Sequence, residues 1–328
     1  MLSRVAHSIY WMGRYIERAE NVARSMEVNN YLSLDFGGTE EDQWQPLVDI
    51  SGSAADFRTR YHAATKEDVI QFLAFDRSNP NSILSCLQMG RENARAIRSV
   101  LPSEMWEQIN RMYLYVSQLS SQTGVFDNPH EFFTRLKLGS QLFIGISEVA
   151  MTHDEAWHFC RLGQALERAD QTTRLLDVKH FLLLPSPDHV GLAMNDIQWA
   201  ALLRSASAFE MYRRKFGEIH PEKIIAFLLL DQVFPRAVLY CLNRAEACLQ
   251  DITGTSAGSF SNPAMQCLGK LRSGLAYTSV FEILQEGLHA YLDGVQAQLI
   301  TLGGALYHTY FAPVQAKPSP PRLEGDPV

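Results

Sequence analysis

Apolar residues recur at intervals of three and four along almost the entire chain, whereas runs that alternate apolar with polar residues are scarce. The first spacing is typical of an amphipathic helix and the second of a strand. Near the start of the chain, positions 5, 9, 12, 16, 19, 23 and 26 are all apolar, so they form one packing stripe on a helix predicted from Ser3 to about Tyr31. The pattern therefore predicts an all-α fold.

The same periodicity, read together with proline and capping signals, predicts the other helices. Thr65 and the acidic residues after it favour a helix start, and this helix should stop near Asn79 because proline disfavours helical geometry in the residue before it. A second long helix is predicted over residues 154–183. Further helices are predicted over 81–99, from 102, from 128 to about 150, and over 195–215, 221–232, 235–251, 264–278 and 280–311.

Two segments of the chain recur in the same order. Residues 12–28 match residues 162–178 at an offset of 150, and residues 69–87 match residues 224–242 at an offset of 155. We therefore predict one bundle-like domain over 1–312, internally duplicated, with long helices and halves of about 1–150 and 151–312. The proline-rich residues 313–328 are predicted to be a disordered tail. The positions that keep their residue or charge include Gly13/Gly163, Glu17/Glu167, Arg18/Arg168, Glu20/Asp170 and Arg24/Arg174.

A polar stripe lies on the first helix beside the apolar one. Its members are spaced by three and four residues, so they share one face and can hydrogen-bond to one another. In the second segment the equivalent positions hold Trp157, Cys160, Gln164, Glu167, Gln171 and Arg174. In the first segment the stripe consists of His7, Tyr10, Arg14, Glu17, Asn21 and Arg24.

Two interpretations of these stripes stay open. In the first, the Glu and Arg residues, Arg18 and Arg168 included, are interhelical ion pairs that fix the register of long helices. In the second, the stripe lines a cleft that binds an anionic or carboxylate ligand through arginine side chains. Arg91 and Arg95 lie on another polar face that the second half lacks, so they are either ligand-binding residues or a solvated basic face.

Composition narrows the classes of function. The net charge of −7 argues against a general nucleic-acid-binding protein, and no apolar run approaches the roughly 20 residues of a membrane span. Five cysteines without a C-x-x-C pattern are interpreted as buried thiols of a cytoplasmic protein. No histidine follows Glu17 or Glu167 by three, so we predict no metal, and no motif for a cofactor or for catalysis is found.

The segment YWMGRYIERAENVAR, followed by RENARAIR and by the second ERAD segment, resembles the bacterial alpha-E family, a helical domain with a Glu-Arg motif. The resemblance covers about residues 1–312. It implies a circularly permuted ATP-grasp protein as partner, with a transglutaminase-like protein as a second one. The motif residues that the resemblance carries over are Arg14, Glu17, Arg18, Glu20, Asn21 and Arg24, with Glu167, Arg168, Asp170 and Arg174 in the second segment.

Three hypotheses on function follow. The chain is a non-catalytic, substrate-positioning component of an ATP-grasp-type amide ligase system, in which arginines bind a carboxylate. Alternatively it is an enzyme in its own right with Glu17 as general base, although a carboxylate beside arginines is normally a poor base. In the third hypothesis it is a structural adaptor whose polar stripes are all internal register pairs.

Overall fold

The computed structural model describes residues 1–35, 39–121, 129–183 and 193–313, and all the regular structure in these ranges is helical. The predicted all-α class is therefore confirmed, while most of the predicted tail lies outside the described residues. The helices are α1 (Ser3–Asp35), α2 (Glu40–Ile50), α3 (Ala54–Arg60), α4 (Lys66–Ile70), α5 (Ile83–Ala96), α6 (Ser103–Leu119), α7 (His130–Ala150), α8 (Glu155–Leu183), α9 (Ala193–Ser205), α10 (Phe209–Phe216), α11 (Pro221–Leu230), α12 (Val238–Thr253), α13 (Pro263–Ala276), α14 (Val280–Glu286) and α15 (Leu288–Leu306).

The two longest helices, α1 and α8, pack side by side at the centre and run in the same direction. The direction follows from their contacts, since the amino group of Met1 lies 2.7 Å from a carboxylate oxygen of Glu155 and Arg18 reaches Glu167. Helices α5 and α7 pack on α1, and α12 and α15 pack on α8. The apolar stripe of α1 packs in the core. Each of its members from Ile9 to Met26 is at most 1% exposed.

Two glycines allow the backbones of α1 and α8 to approach closely. A Cβ atom added to Gly13 would lie 2.5 Å from the carbonyl oxygen of Cys160, and one added to Gly163 would lie 2.2 Å from that of Tyr10. The contacts are reciprocal, because Cys160 stands in α8 where Tyr10 stands in α1 at the offset of 150. No other residue fits at either position without separating the helices.

Several predicted helix boundaries differ from those in the structure. Helix α1 continues to Asp35. The helix predicted from residue 65 ends earlier, in a π-helical turn over Gln71–Phe75. The helix predicted over 195–215 is two helices, since Ser207 adopts a positive φ of 50° between α9 and α10.

The helix predicted over 280–311 is likewise broken. Gly287 has a φ of 97°, which separates α14 from α15. A capping box at Ser279 and Glu282 starts α14. After α15 the chain makes another π-helical turn over Tyr307–Phe311, and this turn brings its aromatic side chains against α1.

Candidate functional site: two arginine–carboxylate networks and a cleft

The interface of α1 and α8 holds two networks of arginine and carboxylate side chains. We call the first the Glu167 network; it comprises Arg14, Arg18, Glu167, Asp170 and Arg174, with Asn81 and Gln171 bound to it. We call the second the Glu17 network; it comprises Glu17, Glu20, Arg24, Arg168 and Arg236, with Asn21 bound to it.

Glu167 is the centre of the first network. Arg18 donates from Nε and Nη2 to its two carboxylate oxygens at 2.6 and 3.0 Å, and Arg14 donates from Nε at 2.8 Å. Gln171 adds a third partner at 3.2 Å. Burial alone would raise the pKa of Glu167, but the charges of Arg18 and Arg14 outweigh it and lower the pKa to about 2. This carboxylate therefore stays ionised.

The rest of the first network is less tightly paired. Arg18 donates from Nη1 to Asn81 Oδ1 at 2.6 Å. Arg174 donates from Nε to Asp170 at 2.9 Å, and its Nη1 lies beside Gly52, where an added Cβ would come within 3.1 Å. No hydrogen bond within the described ranges uses Nη1 or Nη2 of Arg174, so this guanidinium has donors to spare.

Glu17 holds the same central place in the second network. Arg168 donates to both of its carboxylate oxygens at 2.8 and 2.7 Å. Arg236 bridges the network, donating to Asn21 Oδ1 at 2.7 Å and to Glu20 at 2.8 Å, with Glu17 at 3.4 Å. Burial would raise the pKa of Glu20, but Arg236 and Arg24 lower it to about 2.

Two cavities open beside the Glu167 network. The larger has a volume of about 300 Å³ and the smaller about 200 Å³. They meet at Arg18, Asp170 and Arg174, which line both. The larger is also lined by Tyr10, Trp11, Arg14, Leu166, Leu299, Ile300, Gly303, Tyr307 and Phe311, and the smaller by Val22, Ser51, Gly52, Asn81 and Gln171.

Beside the Glu17 network the space is far smaller. The cavity lined by Asn21 and Arg236 has a volume of about 10 Å³, which holds about one water molecule. Glu17 is 3% exposed. Among these three cavities in the described part of the chain, the two of ligand size lie beside the Glu167 network.

The structure brings some of the predicted ligand-binding residues to the cleft. Arg14 and Tyr10 line the larger cavity, and Arg14 Nη1 lies 3.3 Å from the Tyr10 hydroxyl oxygen. The guanidinium of Arg14 also lies 5.0 Å from the ring centre of Trp11. Arg18 and Arg174, which the sequence placed among the structural motif residues, line both cavities.

Other predicted ligand-binding residues lie elsewhere. Glu17, Asn21 and Arg24 belong to the Glu17 network. His7 packs against Phe311, with ring centres 5.3 Å apart, and burial lowers the pKa of this histidine. It lines neither cavity.

The two arginines of α5 that were predicted to bind a ligand line neither cavity. Arg91 donates from Nε to Asn110 at 2.7 Å and stacks over the rings of Trp106 and Tyr113. Arg95 is 66% exposed and pairs with Glu92.

Several residues of the site escaped the sequence analysis. Arg236 and Asn81 occupy equivalent positions in the two segments that match at an offset of 155, where one segment has an arginine and the other an asparagine. Trp11 lies between the two stripes of α1, and Phe311 comes to the cleft only because a π-helical turn ends α15.

The buried thiols have no place in this chemistry. Burial raises the pKa of Cys86, Cys160 and Cys241 to about 12, so they are protonated at neutral pH and inert. One group within the described residues has a spacing that suits a metal ion. It consists of Asp177, His289 and Asp293, and it shares no residue with the two cavities.

Comparisons with known proteins agree with this picture of a helical domain. Across the described ranges, no helix is long and apolar enough to cross a membrane. The chain is 24% identical to an uncharacterized protein of Mycobacterium bovis and to two of Mycobacterium tuberculosis, over 94% of its own length and 37% of theirs. No solved structure matches it. Residues 1–311 match the family described as "a predicted alpha-helical domain with a conserved ER motif", and the chain therefore belongs to the Alpha-E family.

Proposed function

We propose that this chain is a non-catalytic, substrate-positioning component of an ATP-grasp-type amide ligase system, and that the cleft beside the Glu167 network holds a carboxylate of the substrate. The observation that carries the ligand is the guanidinium of Arg174. It borders both cavities, and its Nη1 and Nη2 donate to no group in the described part of the chain. Arginine forks suit carboxylates in number and geometry of donors.

The hydrogen bonds and the burial of Glu17 argue against its acting as a catalytic base, and favour a chain that positions a substrate. Both oxygens of Glu17 accept hydrogen bonds from Arg168, and Arg236 lies 3.4 Å from one of them. A general base must reach the proton that it removes, and within the described residues Glu17 is 3% exposed and lines neither the larger nor the smaller cavity.

We further propose that the two halves arose by duplication. Its support is the reciprocity of the contacts: Gly13 meets Cys160 as Gly163 meets Tyr10, and Arg18 binds Glu167 as Arg168 binds Glu17. Under this proposal the Glu17 network serves register alone. That role is the adaptor hypothesis, restricted to one of the two networks.

The ATP-grasp ligase as partner rests on the family resemblance and on no contact in the structure. A transglutaminase-like protein is the second partner in this proposal. We further propose that the protein acts in the cytoplasm of a bacterium. The relatives are longer than this chain, which spans 37% of their length.

The test is an affinity pull-down of the tagged chain from its native cells, with mass spectrometry of what is recovered. We expect an ATP-grasp ligase in near-equal amount, and a ligase rate that falls when this chain is left out. The variant Arg174→Gln should lower the rate while still recovering the partner, and Arg95→Gln on the distant face serves as its control. A ligase that works at full rate without the chain would refute the accessory role.

A further inference from the structure

Around the cleft, positive charges outnumber negative charges by one. Three guanidinium groups, of Arg14, Arg18 and Arg174, face two carboxylates, of Glu167 and Asp170. The arginine side chains are only 17%, 17% and 28% exposed, so water compensates their charge poorly. A ligand with a single negative charge would neutralise the group, whereas a cation would add to the excess.

The smaller cavity exists because a short side chain stands where the other half has a long one. In the Glu17 network the guanidinium of Arg236 fills the space between Glu17 and Glu20. The equivalent residue beside the Glu167 network is Asn81, and a cavity of about 200 Å³ takes the place of the guanidinium.

The walls of the smaller cavity suit amide groups. Besides Arg18 and Arg174 it is lined by Ser51, Asn81 and Gln171, which offer uncharged donors and acceptors. Gly52 also lines it and adopts a φ of +69°, where it leaves Arg174 Nη1 room that a side chain would take.

The larger cavity has the opposite character. Trp11, Leu166, Leu299 and Phe311 line it, and Arg14 enters from one edge. Gly303 of α15 contributes open space, since an added Cβ would meet no atom within 4 Å. A volume of about 300 Å³ with such walls accommodates an aromatic or branched apolar side chain.

We propose that the two cavities together bind the C-terminal residue of a short peptide or N-acyl amino acid that has an apolar or aromatic side chain. The α-carboxylate lies at the junction, against Arg174 and Arg18. The side chain enters the larger cavity, and the amide that precedes the residue faces Asn81 and Gln171. This proposal rests on the proposed function, of which it specifies the ligand.

The first test is calorimetric titration of the whole chain with N-acetyl-L-phenylalanine at neutral pH. Removal of the ring, in N-acetylglycine, and removal of the charge, in N-acetyl-L-phenylalaninamide, should each weaken binding at least tenfold. Equal affinity for N-acetylglycine would refute the use of the apolar cavity. Equal affinity for the amide would refute carboxylate recognition, and tighter binding of phenyl phosphate would indicate a dianion site instead.

Two neighbouring glycines of α15 give a matched pair of variants. Gly303→Leu fills the larger cavity, whereas Gly304→Leu lies one residue further along the helix and lines neither cavity. An added Cβ has open space at both positions. Both variants replace glycine in a helix with a better helix former, so neither should lower the melting temperature.

Only Gly303→Leu should weaken the binding of N-acetyl-L-phenylalanine, by at least tenfold. Equal loss or equal retention in the two variants would overturn the assignment of the apolar cavity. If none of the three probes binds while the ligase is recovered and depends on this chain, the ligand assignment fails and the accessory role stands. If the probes bind as expected but no ligase is recovered, the accessory role fails alone.

Discussion

The Glu17 network and the Glu167 network contain the same charges in different surroundings. Each has three arginines and two carboxylates, and each centres on a buried glutamate bound by two charged hydrogen bonds from the arginine of the opposite helix. They differ in the source of the third arginine. It comes from Arg236 in the Glu17 network and from Arg14 in the Glu167 network.

Because of this difference, we expect the Glu17 network to align the two helices and the Glu167 network also to bind a ligand. Arg236 fills the space beside Glu17 and donates to Asn21 and Glu20, and the cavity at this place has a volume of only about 10 Å³. Arg14 donates to Glu167 at 2.8 Å, and Asn81 leaves the position equivalent to Arg236 open. Hence one pair of buried charges can align two helices, while its counterpart aligns them and also borders a cleft.

The largest loss of stability is expected from removing either central glutamate, because two arginines would lose their buried partner. Each of Glu17→Ala and Glu167→Ala should lower the free energy of unfolding by about 3–5 kcal/mol. The two losses should be similar, since the side chains of Arg14, Arg18 and Arg168 are 17%, 17% and 18% exposed.

Urea unfolding at neutral pH measures both losses. Glu92→Ala, which removes a half-exposed partner of Arg91 and Arg95, is the control and should cost about 1 kcal/mol or less. A loss no larger than that of the control would contradict a stabilising role for the two buried glutamates.

The next effect concerns the close approach of α1 and α8. Gly163→Ala places a methyl group 2.2 Å from a backbone oxygen that cannot rotate away, so we expect a loss of about 1–3 kcal/mol or more. Gly274→Ala in α13 meets no atom within 4 Å and should gain up to about 1 kcal/mol. Thermal unfolding checks both, and a stable Gly163→Ala would show that the helices can separate freely.

Acid should weaken both networks over the same range of pH. The pKa of Glu20 and of Glu167 is lowered to about 2, so their stabilising contribution is present above the ordinary pKa near 4.5 and is lost as the pH falls towards 2. Between pH 4.5 and 3.5, protonation linked to each of the two carboxyl groups should lower the free energy of unfolding by about 1 kcal/mol. Urea midpoints across this range measure the slope, and Glu167→Gln should reduce it; an unchanged slope in the variant would contradict the shift.

The smallest expected effect is that the changes in stability of two single variants do not add up to that of the double variant. Asn81→Arg alone would place four guanidinium groups around two carboxylates, and Arg14→Gln alone would remove one charged hydrogen bond from Glu167. The double variant reproduces the arrangement of the Glu17 network, where Gln164 stands in place of Arg14. We expect it to be more stable than the sum of the singles by about 1 kcal/mol and to lose carboxylate binding. Strict additivity would mean that the two arrangements are not interchangeable.

The sequence predicted the fold class and the importance of the Glu-Arg positions because both depend on local periodicity and on the internal match. It did not predict which arginines face a cleft. That property depends on the length of one side chain, Asn81 against Arg236, and on where the π-helical turn after α15 places Phe311. The helix breaks at Ser207 and Gly287 were missed because a single positive φ interrupts an otherwise continuous apolar pattern.

The pairing of α1 with α8 has a consequence for how the chain folds as it is synthesised. Glu17 emerges from the ribosome 151 residues before Arg168 and 219 residues before Arg236. At about 5–20 residues per second, α1 waits on the order of ten seconds or more for the groups that neutralise it. During that time its apolar stripe and its carboxylates have no native neighbour from α8. Helices α5 and α7 can cover part of α1 in this interval, while Glu17 acquires its arginine partners only after α8 and Arg236 have been made.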